Sequence, residues 1–320
     1  MMFSGNAFFC FPDVFLLILL YSKQLLKQTM ETSFEGIIPS VNYHLWEPCN
    51  MKCRFCFATF QEAKKILPKG HLPKEQSLEL IKQIAGMGFK KITFAGGEPT
   101  ICPWISDLIA AAKEAGMTTM LVTNGTKLNE TFFKKNQKNL DWIILSIDSL
   151  NDETNIKSGR AFKGKEPLTA EAYKSLIDEI KRYGFQLKIN TVVHRLNYNE
   201  SLMDLILYAQ PKRWKVFQVL PMKGENDEHI EEFIISQQQF DHFIANHQFL
   251  KDRGILVSED NSEMKDSYVM IDPAGRFFTN KKGFQEYSRP ILEAGAKKAY
   301  DEMDYSYRNF LERGGLYQWD

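Results

Sequence analysis

Three of the chain's five cysteines, Cys49, Cys53 and Cys56, fall within the stretch YHLWEPCNMKCRFCFATF, directly after a run that reads as a strand. Thiols this close in sequence are metal ligands or redox partners. Structural zinc takes four ligands, typically from two CxxC pairs. The chain has no second pair, so His44 or His71 would have to complete a zinc site. A redox pair uses two cysteines and leaves the third unexplained. An iron–sulfur cluster held by three thiolates leaves one iron open, and an open iron is a coordination site for a reactant. On that reading the missing fourth cysteine is the functional feature. Cys10 and Cys102 stand alone and read as small apolar residues.

A second constellation is ITFAGGEPT, residues 92–100, where Gly96 and Gly97 end a strand and let the backbone approach a ligand closely. The third is a set of cations. Strand side chains alternate between faces. In LKINTVVHR, Leu187, Ile189, Thr191 and Val193 share one face and leave Lys188 and Asn190 on the other. RWKVFQ sets Arg213 and Lys215 opposite Trp214 and Val216, KITFA sets Lys91 and Thr93 opposite Ile92 and Phe94, and VNYHLW puts Asn42 with His44. The apolar sets face helices, so the polar sets face inward, and Lys91, Lys188, Arg213 and Lys215 converge. Arg160, in SGRAFKGK, can join them from a loop. Buried unpaired cations are unfavourable by several kcal/mol each, so an anionic ligand is expected to compensate them. Four or five cations suit a polyphosphate.

These residues need a scaffold. From residue 40 strand and helix signals alternate: strands over 41–46, 90–95, 118–123, 141–147, 185–193 and 213–219, and helices near 74–87, 103–115, 130–137, 169–183 and 199–209. Helical connections imply parallel strands. The fold class is therefore α/β, a partial (β/α)6 barrel rather than an open sheet, with ligands at the strands' carboxyl ends. Beyond 220 a helix near 236–250 and a hairpin turning at Pro273–Gly275 form an α+β extension. The domain reading is a leader over 1–39, the barrel over 40–220 and the extension over 221–320.

Lys plus Arg equals Asp plus Glu, 40 against 40, so no overall charge draws the chain to nucleic acid or an anionic membrane. The apolar run at 7–21 is short for a span and interrupted by Pro12 and Asp13. No stable membrane insertion is expected, fold signals begin only after Met30, and reduced thiols suit the cytoplasm.

CxxxCxxC after the first strand of a parallel α/β barrel, with GGEP after the second, resembles the radical S-adenosylmethionine (SAM) superfamily. The resemblance implies a [4Fe–4S] cluster on Cys49, Cys53 and Cys56 and SAM bound at the open iron. It also implies SAM contacts at Phe55, Gly96, Gly97, Glu98, Asn124 in VTNG and Ser146 in LSIDS. VNYH, CNMKCRFCF, KITFAGGEP, SIDS, KIN, RWKVFQ, MKDSY and RGGLYQW together resemble the viperin family from about residue 40 onward. That resemblance implies a radical SAM nucleotide dehydratase, which converts a nucleoside triphosphate to its 3′-deoxy-3′,4′-didehydro analogue, a chain terminator in antiviral defence. It implies phosphate contacts at Lys91, Arg160, Lys188, Arg213 and Lys215, with Asn42 and Asn190 nearer sugar or base, and a closing, catalytic Tyr268. An electron donor of flavodoxin or ferredoxin type is the implied partner. Two departures keep CTP, UTP and GTP open. Phe284 and Gln285 stand where the family places a basic residue, which Lys281, Lys282 or Arg289 could replace, and Ala95 stands where a serine is common. A peptide or cofactor maturase is the competing enzyme reading, weakened because Cys102 is the only cysteine after Cys56. A non-catalytic metal-binding scaffold is the third.

Overall fold

The computed structural model describes residues 37–319. The chain divides into two compact units, 1–38 and 39–320, and every helix and strand among the described residues lies in the second. Most of the expected leader, with its apolar run and Met30, lies outside the described residues.

Six strands form the barrel wall: β1 (Ser40–Trp46), β2 (Lys91–Gly96), β3 (Thr118–Thr123), β4 (Trp142–Ser146), β5 (Gln186–Val193) and β6 (Arg213–Gln218). They pair in sequence order, all parallel. Helices α1 (Gln61–Ile66) and α2 (Lys74–Gly86) join β1 to β2, α3 (Ile105–Glu114) joins β2 to β3, and α4 (Glu130–Asn136) joins β3 to β4. Next, α5 (Asp152–Ser158) and α6 (Ala170–Arg182) lie between β4 and β5, and α7 (Met203–Ala209) lies between β5 and β6. The cap chemistry is local. Asn129 and Thr169 accept from backbone N–H groups in the first turns of α4 and α6, and Asn151 caps α5. The expected strands and five of the crossover helices stand within a few residues of their sequence limits, whereas α1 and α5, of six and seven residues, lie outside the expected set.

The sheet curls. Lys91 on β2 and Arg213 on β6 are four strand spacings apart in the sheet order, roughly 19 Å if flat. Yet Lys91 Nζ lies 4.8 Å and the Arg213 guanidinium carbon 4.4 Å from the centre of the same Tyr317 ring. The outward residues Ile92, Phe94, Leu187, Ile189, Trp214 and Val216 are all buried under the helices, as alternation requires.

The extension continues this sheet at both edges. After α8 (Gln237–Asn246) and α9 (Gln248–Asp252), β7 (Leu256–Glu259) adds in parallel to β6. On the other side β8 (Val269–Ile271) pairs in parallel with β1, followed by antiparallel β9 (Arg276–Thr279) and β10 (Glu286–Pro290). The β8–β9 connection is the expected hairpin, with Gly275 at φ +73. Helices α10 (Ile291–Ala294), α11 (Ala296–Asp301) and α12 (Tyr307–Glu312) lead to the tail. Among the described residues no helix is long and apolar enough to cross a membrane.

Candidate active site

The cysteine loop leaves the end of β1 and is pinned by three other loops, two through backbone and one through side chains. Gly97 N–H donates to the Trp46 carbonyl and Glu98 N–H to the Pro48 carbonyl at 2.9 Å. A Cβ at Gly97 would overlap the carbonyl oxygens of Glu47 and Pro48, so the second glycine of GGEP is fixed by contact with the residues just before Cys49. Gly159, at φ +79 after α5, presses on the Lys52 carbonyl in the same way, and the Lys52 N–H donates to the Gly159 carbonyl at 3.2 Å. Asn50 is the third tie. It donates to Thr126 Oγ1 and accepts from the Asn124 side chain, both at 2.8 Å.

Cys49, Cys53 and Cys56 are free, half-buried thiols within electrostatic reach of one another. Burial pushes Cys49 up to about 11 and Cys56 up to about 12, and raises Cys53 as well. They are thiols that deprotonate when a metal displaces the protons. Neither candidate fourth ligand joins them. His44 lies among the rings of Phe57, Phe60 and Phe278, and His71 stacks on Trp46 at 4.1 Å. Among the described residues, no three His, Cys, Asp or Glu side chains are gathered tightly enough for a single metal ion. A cluster that takes one thiolate per iron does not need such convergence. An all-thiol donor set on a loop braced by close-packed glycines fits a three-thiolate cluster.

The remaining SAM-contact candidates surround this loop. Phe55 is buried against His194 and Phe233, with ring centres 4.8 and 5.6 Å away. Glu98 is almost wholly enclosed, and its carboxylate accepts from Thr100 N (3.0 Å), Thr100 Oγ1, Thr123 Oγ1 (2.7 Å) and Asn124 N (2.7 Å). It ties the end of β2 to the end of β3. Ser146 ends β4, opposite Asn190 in the register with β5.

Arg160 is placed differently from its expected role. Its Nε donates to Asp148 Oδ2 at 2.5 Å, its guanidinium lies 5.9 Å from the Phe55 ring, and its charge acts on Cys53. Arg160 therefore belongs beside the cysteine loop. It is absent from the charges that bear on Lys91, Lys188 or Lys215. Its glycine neighbour explains this: Gly159 locks the segment onto Lys52, which fixes where Arg160 can reach.

The other four cations do converge, all with under a tenth of their surface exposed. They lie toward the amino ends of the strands, since Lys91 and Arg213 open β2 and β6. The expected carboxyl-end site therefore holds for the cysteine loop, with the cations at the opposite end of the lumen. Burial drives Lys91 well below the ordinary lysine range, helped by the charges of Arg313, Lys215 and Arg213. Burial does the same to Lys188, with Lys215, Lys91 and Arg213 adding to it. Aromatic faces supply part of the compensation: Lys91 Nζ stands 4.2 Å from the Trp319 ring centre, and Trp142 Nε1 anchors that residue by donating to its carbonyl at 2.8 Å. Tyr268 lies beneath the Arg313 guanidinium at 3.6 Å and accepts from Lys215 Nζ at 2.7 Å. Asn42 is half-buried, and Asn190 keeps a buried Oδ1 without a hydrogen-bond partner.

Two members escaped the sequence reading. Arg313 is the fifth cation, held by two bonds to the Ser267 carbonyl at 3.0 and 2.7 Å. Its signal was the RGG of the tail, which carried a resemblance without a role. Glu259 closes β7, and a four-residue strand gives no periodic pattern. The substitutes considered for a missing basic residue are engaged elsewhere. Lys281 pairs with Asp304 at 2.5 Å, Lys282 with Glu286 at 2.9 Å and Arg289 with Glu302 at 2.5 Å, all at the surface. Gln285 donates to the Phe57 carbonyl at 3.2 Å, joining the hairpin to the cysteine loop.

Residues 45–209 match the Radical SAM superfamily model. The chain is 55% identical over 284 residues to a protein of Lacinutrix mariniflava named S-adenosylmethionine-dependent nucleotide dehydratase, covering 88% of this chain and 59% of that one. A Flammeovirga pacifica protein of the same name is 54% identical, covering 90% of this chain and 98% of the other. The Danio rerio protein named S-adenosylmethionine-dependent nucleotide dehydratase RSAD2 is 34% identical, covering 88% of this chain and 78% of the other. Among solved structures, Streptococcus suis SuiB bound to S-adenosylmethionine superposes with a TM-score of 0.64 at 15% identity, over 96% of this chain and 75% of that one, a likeness of fold.

Proposed function

Because the chain belongs to the radical SAM superfamily, and within it to the viperin-like S-adenosylmethionine-dependent nucleotide dehydratases, we propose that it converts a nucleoside triphosphate, CTP ahead of UTP or GTP, to the 3′-deoxy-3′,4′-didehydro analogue. The product is a chain terminator and the setting antiviral defence. The observation that carries this reading is the five-cation cluster at the amino ends of the strands, opposite the cysteine loop at the carboxyl end of β1. From Lys91 to Gly96 is roughly 16 Å of strand, the scale of a nucleoside with an extended triphosphate.

When bound, a [4Fe–4S] cluster on Cys49, Cys53 and Cys56 together with SAM supplies the 5′-deoxyadenosyl radical that takes the ribose 4′ hydrogen. The chain's own residues set where that happens. Lys91, Lys188, Arg213, Lys215 and Arg313 hold the phosphates, which fixes the sugar toward the cysteine loop. Asn190, with its free buried Oδ1, and Asn42 meet the sugar or base. Loss of the 3′ hydroxyl as water requires one electron and one proton beyond the hydrogen atom removed. The proton is assigned to the Tyr268 hydroxyl, which accepts from Lys215 and donates to Glu259, and a flavodoxin- or ferredoxin-type donor supplies the electron. Gly96, Gly97, Glu98, Phe55, Asn124 and Ser146 form the SAM side of the site, and Arg160 faces the same side.

The direct test is anaerobic incubation of the reduced, iron-loaded protein with SAM and each nucleoside triphosphate singly, with mass analysis of the products. A product lighter than the substrate by one water supports the reading. SAM cleavage that no nucleotide stimulates, with no altered nucleotide, would sink it.

A pH dependence follows from the two unpaired lysines. Lys91 and Lys188 are depressed in the free protein, and phosphate contact favours their charged forms. The complex therefore binds more protons at these amines than the free protein does. Nucleotide binding should take up protons and weaken as pH rises from about 7 to about 9, below the ordinary lysine value near 10.4. Calorimetry in two buffers of different ionisation heat measures the uptake directly. Proton release, or affinity that strengthens over this range, would contradict the assignment.

A further inference from the structure

One carboxylate stands among these cations. Glu259 is fully buried at the end of β7. Its Oε1 accepts from Lys215 Nζ and stands 3.7 Å from the Arg313 guanidinium, and its Oε2 accepts from the Tyr268 hydroxyl. Lys215 also donates to that hydroxyl at 2.7 Å. Four segments of chain, β6, β7, the approach to β8 and the end of α12, thus meet at one side chain.

An ammonium has three N–H donors. Glu259 and Tyr268 take two of those on Lys215, which fixes the direction of the third. The contrast with the neighbouring amines is sharp: Lys91 and Lys188 have aromatic faces nearby and no ion pair. Resting on the nucleotide reading above, we propose that Glu259 is a positioning residue. It keeps Lys215 charged and aimed before substrate arrives, so that one ammonium N–H is presented to the incoming polyphosphate.

The electrostatic surroundings agree. The groups facing Lys215 are Arg213 on its own strand, Lys188 from β5, Tyr268 before β8, Arg313 after α12 and Glu259 from β7. Lys91 on β2 lies within reach of the same charges. Glu259 is the only carboxylate in that set. Burial pushes Lys215 down to about 7 against the pull of Glu259, so it is charged over part of the neutral range. Burial acts to raise Glu259, but Lys215 and Arg313 override it and hold the carboxyl below its usual value.

The proposal separates Glu259 from an ordinary buried ion pair by what its charge does to binding. Glu259→Gln keeps the volume and an acceptor and removes the charge. Two readouts apply to the reconstituted protein: calorimetric binding of inorganic tripolyphosphate from about pH 6 to about pH 9, and KM and kcat for the nucleoside triphosphate measured separately. The expected result is about tenfold weaker tripolyphosphate binding near pH 7, where the wild-type Lys215 still carries much of its charge, shrinking as pH falls and Lys215 regains its proton in the variant. KM should rise in step while kcat changes less, and iron content should stay unchanged. Should Glu259→Gln not fold, Glu259→Asp carries the test, because it keeps the charge and is expected to keep the wild-type pH profile at reduced affinity. Equal affinity and superimposable pH profiles for Glu259→Gln and wild type, or an altered profile in Glu259→Asp, overturn the proposal. A wild type that binds tripolyphosphate but converts no nucleoside triphosphate overturns the dehydratase reading alone. A wild type that binds neither overturns both.

Discussion

Replacing Gly97 with Ala should strip the protein of most of its iron while leaving its secondary structure intact. The added methyl carbon would overlap the carbonyl oxygens of Glu47 and Pro48 and approach the Pro48 carbonyl carbon to 2.7 Å. These are backbone atoms one and two residues before Cys49, and they cannot turn aside as a long side chain could. Relief requires the loop to move. Overpacking of this kind is unfavourable by roughly 1–3 kcal/mol, which is about ten- to a hundredfold in the loading equilibrium if the strain is relieved in the cysteine loop. Gly159→Ala should act likewise from the other side, since its Cβ meets the Lys52 carbonyl and its φ of +79 is strained for alanine. Gly86→Ala is the control: its Cβ meets nothing within 4 Å, and it closes α2. Iron and sulfide assays after anaerobic reconstitution, with far-UV circular dichroism alongside, decide the matter. Full iron in Gly97→Ala would show that the GGEP contact does not position the cysteines.

That contact also shows which part of the site the sequence carried. The cysteines, the two glycines and the strand alternation are short-range facts, set by neighbours in the chain, and they were readable as such. Lys91, Lys188, Arg213 and Lys215 were legible because period-2 patterning assigns a face without knowledge of the partner strand. Arg160 shows the limit. Its residue type suited the cation cluster, but its position depends on Gly159 meeting Lys52 across more than a hundred residues of sequence, and no local pattern encodes such a contact. Arg313 and Glu259 were invisible for a related reason. Each acts through the closure of the lumen by the extension, where β7 and the tail meet strands far away in sequence. The extension itself read as a helix and a hairpin packed on a barrel. In the structure its strands instead lengthen the barrel's own sheet at both edges, because β1 and β6 end that sheet with unpaired backbone groups.

Lys188→Ala and Lys215→Ala should weaken nucleotide binding alike and change stability in opposite directions. Each removes a charge-assisted phosphate contact worth roughly 1.5–3 kcal/mol, or about ten- to a hundredfold in affinity. Their surroundings in the free protein differ. Lys188 is buried among like charges, with the Tyr317 ring 6.0 Å away and no ion pair, so its removal relieves an unfavourable burial and should leave stability equal or higher. Lys215 holds Glu259 and Tyr268, and its removal leaves a buried carboxylate with Arg313 at 3.7 Å as its remaining cation. Breaking a buried pair from one side is strongly destabilising, about 3–5 kcal/mol at full loss, and Arg313 should moderate that figure. Iron content should be unchanged in both, since neither residue touches the cysteine loop. Lys181→Ala, on the exposed face of α6, should alter neither affinity nor stability by more than about 0.5 kcal/mol. Calorimetric nucleotide titrations and denaturant unfolding of the same three variants measure both quantities. If Lys188→Ala binds nucleoside triphosphates as the wild type does, the lumen is not the phosphate site. If instead it is destabilised as much as Lys215→Ala, then Lys188 is engaged by a partner, and its charge is not waiting for substrate.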